Sequence, residues 1–432
     1  MKRQIMITAA LLALLPSLSW GAGFALFETG NKALGMGGAF TAVADDPSAF
    51  FWNPAGMAFQ IDEGTQVMVG ITFIAPSQDF TGDAPYPGAG YSASQESQVF
   101  FPPHFYWVKP LSDRVNFTLG AFTPFGLGTK WDEDFAGRYV AKQTDIQVID
   151  LGGQISWKIC DRFAIGGGID YMIGSIELRQ NVPFINPYTQ SIVDVAEVKL
   201  HTDDLSNNAW AWNAGFMWKL PAGFSIGGMY RADFTIKGTS ASAEFTQYPT
   251  GYGDLDATIA ATIPFDEDPE ITTVLNFPEF WQIGLAWSNE KFTISGQYGV
   301  MGWNVFEELA IQFPDYPYLN STIPENYEDS KQYRIGFDWR ASRALAFRLG
   351  YVFDETPQPI ESISPLLADG DRDGYSAGIG FISKKSNWGF DVGYEYLTME
   401  ERSTEGRSAD GFDGLYHDGT AHLFGASLYF KF

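Results

Sequence analysis

Apolar and polar residues alternate along most of this chain, and the alternation is clearest at its end. Phe424, Ala426, Leu428, Phe430 and Phe432 share one parity, with Gly425, Ser427 and Lys431 on the other. That is a strand with one oily face. Residues 388–396 repeat it, with Trp388, Phe390, Val392, Tyr394 and Tyr396 opposed to Gly389, Asp391, Gly393 and Glu395. In 333–339, Ile335 and Phe337 oppose Arg334 and Asp338; in 345–353, Leu349 and Tyr351 oppose Arg348 and Gly350. Segment 292–300 sets Phe292, Ile294 and Tyr298 against Thr293, Ser295 and Gln297. A face with charges at alternate positions is no buried sandwich core. It suits a wall with lipid outside and a polar lumen inside.

The same reading gives about 14 strands, an even number as bacterial barrels require. They fall near 65–76, 98–109, 114–123, 145–159, 162–180, 206–219, 223–236, 277–289, 291–303, 328–341, 343–354, 372–383, 387–398 and 419–432. Short connections, such as Asn289–Glu290 and Ala341–Arg343, alternate with long ones at 77–97, 124–144, 181–205, 237–276, 304–327, 355–371 and 399–418. That asymmetry predicts an all-β, transmembrane antiparallel barrel with periplasmic turns and extracellular loops, both termini lying on the periplasmic side. A final strand closed by an aromatic residue, here Phe432, is the usual sorting and closure signal of bacterial outer-membrane barrels.

The first 62 residues break the pattern. Lys2 and Arg3 precede a mostly apolar run from Ile5 to Leu15, and Ser19-Trp20-Gly21 offers small residues for cleavage before Ala22. The run is too short to span a bilayer, so 1–21 reads as a signal peptide. Residues 22–62 lack strand periodicity and carry turn signals at Asp46-Pro47 and Asn53-Pro54. Phe24, Phe27, Phe40, Phe50, Phe51 and Trp52 make this segment too aromatic for a disordered tail. A plug, or hatch, inside the lumen is expected, with the barrel proper at 63–432.

Composition agrees. Aromatic residues make up 16% of the chain, high for a soluble protein, while a mean hydropathy of −0.11 is far too low for a bundle of membrane helices. A single cysteine, Cys160, excludes an internal disulfide. The net charge of −25 disfavours nucleic acid as a partner. It suits long outer loops that meet lipopolysaccharide through divalent cations.

Four blocks then resemble one known family. They are Ala22-Gly23-Phe24 with Leu34-Gly35-Met36-Gly37, Ala44-Asp45-Asp46-Pro47 and Asn53-Pro54-Ala55-Gly56; Pro124 to Trp131 with Phe135-Ala136-Gly137-Arg138-Tyr139; Tyr333 to Glu355 with Asp369 to Gly378; and Leu423-Phe424-Gly425. In this order they are similar to the FadL/TodX outer-membrane transporters of long-chain fatty acids and aromatic hydrocarbons. The resemblance implies a 14-stranded barrel with a hatch that contains Asn53, Pro54 and Ala55. It implies passive uptake of a hydrophobic small molecule, caught among the outer loops and released sideways through a gap in the wall beside the third strand. No cofactor, no metal and no enzymatic activity are implied, and a monomer in outer-membrane lipid is expected.

Candidate site residues follow. Pro102 and Pro103 cannot donate to a ladder, and Gly120 permits a bend, so the wall gap is expected there; a plain strand start at Pro102-Pro103 is the other reading. Phe24, Phe27, Phe125, Leu127, Trp131 and Phe135 are candidates for contact with an apolar ligand. Arg138, Lys331 and Arg334 are candidates for a charged head group, although lumen charges more often pair with each other. Gly223-Phe224-Ser225-Ile226-Gly227 matches the G-x-S-x-G elbow of hydrolases but opens a strand with no helix after it. A hydrophilic general porin and an outer-membrane hydrolase are the alternatives; the Gly-rich plug argues against the first and the setting of Ser225 against the second.

Overall fold

The computed structural model describes residues 23–202, 207–383, 385 and 387–432. The signal peptide expected at 1–21 lies outside the described residues. Fourteen strands form the wall: β1 Gln66–Gly82, β2 Pro103–Ser112, β3 Val115–Lys130, β4 Gln143–Cys160, β5 Phe163–Ile185, β6 Asn208–Lys219, β7 Phe224–Arg231, β8 Phe280–Ser288, β9 Phe292–Met301, β10 Ser330–Arg340, β11 Leu345–Asp354, β12 Arg372–Ile382, β13 Trp388–Met399 and β14 Gly414–Lys431. Each pairs antiparallel with the next. β14 closes on β1 from Gln66↔Lys431 to Gly82↔Gly414. Closure leaves no strand without a neighbour on each side, which a bilayer demands because unpaired backbone groups have no water there.

Parity decides which face meets lipid. Ile335 and Leu349 are 54% and 60% exposed, whereas their neighbours Arg334 and Arg348 are buried. The six short turns sit at one end, together with the start of β1 at Gln66 and the C-terminal end of β14 at Lys431.

The long connections differ from expectation. Several are not loops but continuations of the sheet above the wall. Ile192–Thr202 pairs with the outer half of β5, Phe234–Gln247 pairs with Ile192–Thr202, and Glu270–Phe277 pairs with Phe234–Gln247. A register shift between Gly238 and Ala241 hid one of these strands. Phe234 and Ile236 are buried on one parity and Ala241, Ala243 and Phe245 on the other, so the bulge breaks the period-two signal. β1 likewise runs past Pro76, with an irregularity between Ser77 and Asp79.

Apart from a single bridge at Ala25, residues 23–63 stay out of the wall. They form short helical turns, Asn31–Leu34 and Ala49–Trp52, then 3-10 turns at Pro54–Phe59 and Ile61–Glu63. Phe24, Phe27, Phe40, Phe50, Phe51 and Trp52 are all buried. The segment packs inside the barrel, and wall glycines make the room. A Cβ on Gly120 would meet the Phe50 ring at 2.7 Å, one on Gly166 the Pro54 carbonyl carbon at 2.5 Å, and one on Gly350 the Gly37 nitrogen at 2.0 Å. These glycines lie on β3, β5 and β11, so the fit runs round the lumen.

Candidate ligand cavity and the wall beside it

The N-terminal segment is held by hydrogen bonds from lumen-facing side chains, because its own turns leave backbone groups unpaired. Gln297 Oε1 accepts from the Phe40 and Thr41 amides at 3.1 and 3.0 Å. Gln154 donates to the Phe50 carbonyl and Gln282 to the Trp52 carbonyl. Asn53 caps the turn that starts at Pro54: its Oδ1 accepts from the Ala55 amide, and its Nδ2 donates to the Thr41 and Phe216 carbonyls. The Ser225 hydroxyl donates to the Ala42 carbonyl at 2.7 Å. The hydrolase-like motif is therefore a point of attachment, with Gly227 flat against the Thr41 carbonyl.

One region of the wall is unpaired. β2 and β3 form a ladder from Ser112↔Val115 only as far as Phe105↔Ala121. Above that, β2 stays with β1: the Thr72 amide donates to the Pro102 carbonyl, and Ile74 bridges Phe100. Backbone groups alternate between neighbours along a strand, so Pro103 presents no N–H towards β3. β3 continues to Lys130 on β4 alone, after a register shift between Phe122 and Phe125. Inside the barrel, the chain's own beginning takes the free edge. Ala25 bridges Phe125, the Leu26 amide donates to the Pro124 carbonyl and the Gly126 amide to the Phe24 carbonyl.

A cavity of about 850 Å³ lies behind this break. Phe24 and Leu26 of the N-terminal segment, Ile74, Phe100 and Pro102 on one side of the break, and Leu127 on the other, line it. Glu28 and Arg372 add charge. Burial and the nearby Glu395 push the Glu28 carboxyl up to about 7, against the pull of Arg334 and Arg372. The rim is partly covered: a Cβ on Gly128 would touch the Phe100 ring.

The candidate residues scatter. Phe24, Leu127 and Pro102 reach the cavity; Pro103 begins β2 beside it. Phe125 sits behind, edge-on to Phe24 at 6.2 Å. Phe27 packs on Phe280, with the Arg334 guanidinium 4.6 Å above its ring, and Arg334 donates to the Gly37 carbonyl. Trp131 and Phe135 stack on each other at 4.4 Å in a separate buried cluster with Phe80, Phe412 and Tyr416. Their oily surface is satisfied by the outer loops themselves. Arg138 pairs with Asp194 at 2.9 Å and Lys331 with Glu355 at 3.2 Å, since each finds a carboxylate in reach outside the cavity. Gly120 accommodates Phe50, while the irregularity in β3 falls at Thr123-Pro124. Ile74, Phe100 and Arg372 were missed; the apolar run Val99-Phe100-Phe101, just before the two prolines, was the only available sign.

A closed barrel with a filled lumen and an apolar cavity beside a wall break is the build of an outer-membrane transport channel. The chain belongs to the outer membrane protein transport protein family (OMPP1/FadL/TodX), whose model matches residues 12–432. Among its relatives is a long-chain fatty acid transport protein of Escherichia coli O6:H1, 24% identical, covering 98% of this chain and 97% of its own. Outer membrane protein P1 of Haemophilus influenzae is 22% identical over 100% of this chain and 99% of its own. The fold matches a crystal structure of a Pseudomonas aeruginosa FadL homologue, with a TM-score of 0.79, 22% identity and coverage of 95% and 100%. It also matches the Pseudomonas putida toluene transporter TodX, with a TM-score of 0.69, 16% identity and coverage of 96% and 99%. The protein is an outer-membrane β-barrel of a family that transports fatty acids and aromatic hydrocarbons; that family consists of channels rather than enzymes.

Proposed function

We propose that this protein carries apolar small molecules passively from the outer surface to the cavity behind β3, and releases them sideways between β2 and β3 into the membrane. The observation that carries the reading is the coincidence of an 850 Å³ cavity with the one stretch where β3 lacks β2 as a partner. An oily solute leaving there enters lipid without becoming hydrated, which avoids a cost of roughly 25 cal/mol per Å² of apolar surface exposed to water. Residues 22–62 act as the hatch. The burial of most of residues 23–62 and their attachment through Gln154, Ser225, Gln282 and Gln297 support that role and argue against a general porin. The Ser225 hydroxyl is occupied with Ala42, which supports a protein without hydrolase activity. Outward apolar residues on all sides of the wall suit a monomer surrounded by lipid and lipopolysaccharide.

The test is uptake and swelling with the same preparation. Cells lacking their own apolar-solute transporters and expressing this chain should accumulate labelled decanoate or toluene, while proteoliposomes should not swell in arabinose. Rapid arabinose swelling without hydrophobic uptake would make it a porin.

A further inference from the structure

We propose that Asp145, at the mouth of the cavity, binds the ammonium head of an alkylamine whose chain lies in the cavity, so that cationic amphiphiles are a further class of solute for this channel. The proposal rests on the cavity being the solute site, as argued above.

The mouth is set by parity on β4. Odd residues there face outwards, as the exposed Ile149 and Leu151 show. Asp145 and Gln147 belong to that outward set and still line the cavity, together with the buried, lumen-side Ile146. The cavity therefore passes the break in the wall and reaches the outer face of β3 and β4. Gly128 stands directly opposite Asp145 in the β3–β4 ladder. The two share a face, with their Cβ positions about 5 Å apart. The place of the absent Gly128 side chain is taken by the Phe100 ring. A carboxylate and an aromatic ring thus flank one spot, and that pairing of an anion with a ring face is the one that receives an ammonium group.

The surrounding charges leave the spot negative. Glu177 lies directly across the β4–β5 ladder from Asp145, and like charges so placed are unfavourable without a cation between them. The neighbouring cations are committed elsewhere: Lys199 to Glu177 at 3.0 Å, Lys130 to Glu96, and Arg372 to Asp369 at 2.6 Å. Asp145 accepts a hydrogen bond at Oδ2 from Gln143 and has no ion pair among the described residues. Glu28 is also a cavity carboxylate without an ion pair among the described residues, but it lies on the N-terminal segment and not at the mouth. Phe24, Leu26 and Ile74 offer the alkyl chain an apolar lining.

Decylamine, an ammonium ion at pH 7, and decanol, its uncharged analogue, discriminate. Calorimetry on the full chain in phosphatidylcholine nanodiscs, corrected for titration into empty nanodiscs, reads both affinities. Decylammonium should bind on the order of tenfold tighter than decanol. The gap should narrow as salt is raised, because the mouth opens to solvent. Asp145→Asn should bring decylammonium down to the decanol level and leave decanol unchanged. Asp145→Glu should keep most of the preference, and Glu28→Gln all of it. Equal affinities in the unaltered protein overturn the proposal, as does a preference that survives in Asp145→Asn or disappears in Glu28→Gln. Decanol binding without a decylammonium preference sinks this proposal alone; no binding of either removes the cavity reading with it.

Discussion

The two sides of this barrel are built to opposite rules. On β10–β13 the ladders run without interruption, from Gln332↔Asp354 through Arg372↔Met399. Their inward faces carry charges that are paired with one another or turned on the N-terminal segment. Arg348 reaches Asp338 at 2.8 Å and Asp391 at 2.6 Å, and Arg372 holds the Gly23 carbonyl. On β2–β3 the ladder stops at Phe105↔Ala121, and above it prolines and aromatics stand beside His104 and Thr123. The first side is fully laddered and the second is interrupted. The lumen segment is attached on both sides: Thr72 of β1 donates to the Glu28 carbonyl, Tyr106 of β2 bonds Thr29 and Asn116 of β3 donates to the Met57 carbonyl, while Arg334 of β10 and Arg372 of β12 donate to the Gly37 and Gly23 carbonyls. The same ordering principle serves both: backbone pairing is complete wherever lipid would otherwise meet bare amides, and at the break the chain's own Phe24–Leu26 supplies the missing partner.

Removing residues 23–62 takes away the segment that both sides hold. Single-channel conductance in planar bilayers should rise on the order of tenfold or more, because the lumen of a barrel this wide is water-filled once emptied. Unchanged conductance in a truncated protein that remains heat-modifiable on a gel would mean the wall itself is closed and the contrast between its sides matters little.

Arg348→Ala strikes the charge pairing within the fully laddered side alone. It leaves Asp338 and Asp391 buried without their shared cation, a change that costs about 3–5 kcal/mol. The urea midpoint of the refolded barrel should fall accordingly. A shift within error would show that these charges are solvated and hold nothing.

Asp46 gives a smaller and pH-dependent effect. It lies in the N-terminal segment, where burial, with Asp45 and Asp391 nearby, pushes its carboxyl up to about 6 against the pull of Lys32. A carboxyl raised above its unfolded value binds its proton better in the folded state. Its contribution is therefore complete below about pH 4 and is lost as pH rises through 6. Stability should drop on the order of 1 kcal/mol between pH 4 and pH 7, and Asp46→Asn should flatten that slope in urea titrations. An identical slope in the variant would place the titration elsewhere.

The wall was legible in the sequence because lipid on one side and water or hatch on the other impose a strict two-residue alternation. Arg334 and Arg348 stand beside Ile335 and Leu349 in both the pattern and the structure. Pro102 and Pro103 stand where the β2–β3 ladder has ended, and Pro103 is also the first residue of β2, so both sequence readings of the pair fit. The cavity was less legible. Phe24, Phe100 and Arg372 meet only because the barrel closes and the N-terminal segment folds back into it, and no local pattern encodes that meeting. Trp131, Phe135, Arg138 and Lys331 do not line this cavity, and an oily or charged side chain in a loop has the same signature whether it meets a ligand or a neighbouring loop. The outer strands were hidden by bulges such as that at Gly238–Ala241, which flip parity midway.

Sideways release is tested most directly by closing the break. Pro102 and Leu127 line the cavity from opposite sides of it. With the exposed Cys160 replaced by serine, Pro102→Cys with Leu127→Cys can be joined by a short bismaleimide. Uptake of labelled decanoate or toluene by cells carrying the cross-linked protein should fall to background, and the uncross-linked double variant should retain it. Normal uptake through a barrel shown by mass spectrometry to be fully cross-linked would contradict lateral release at β2–β3.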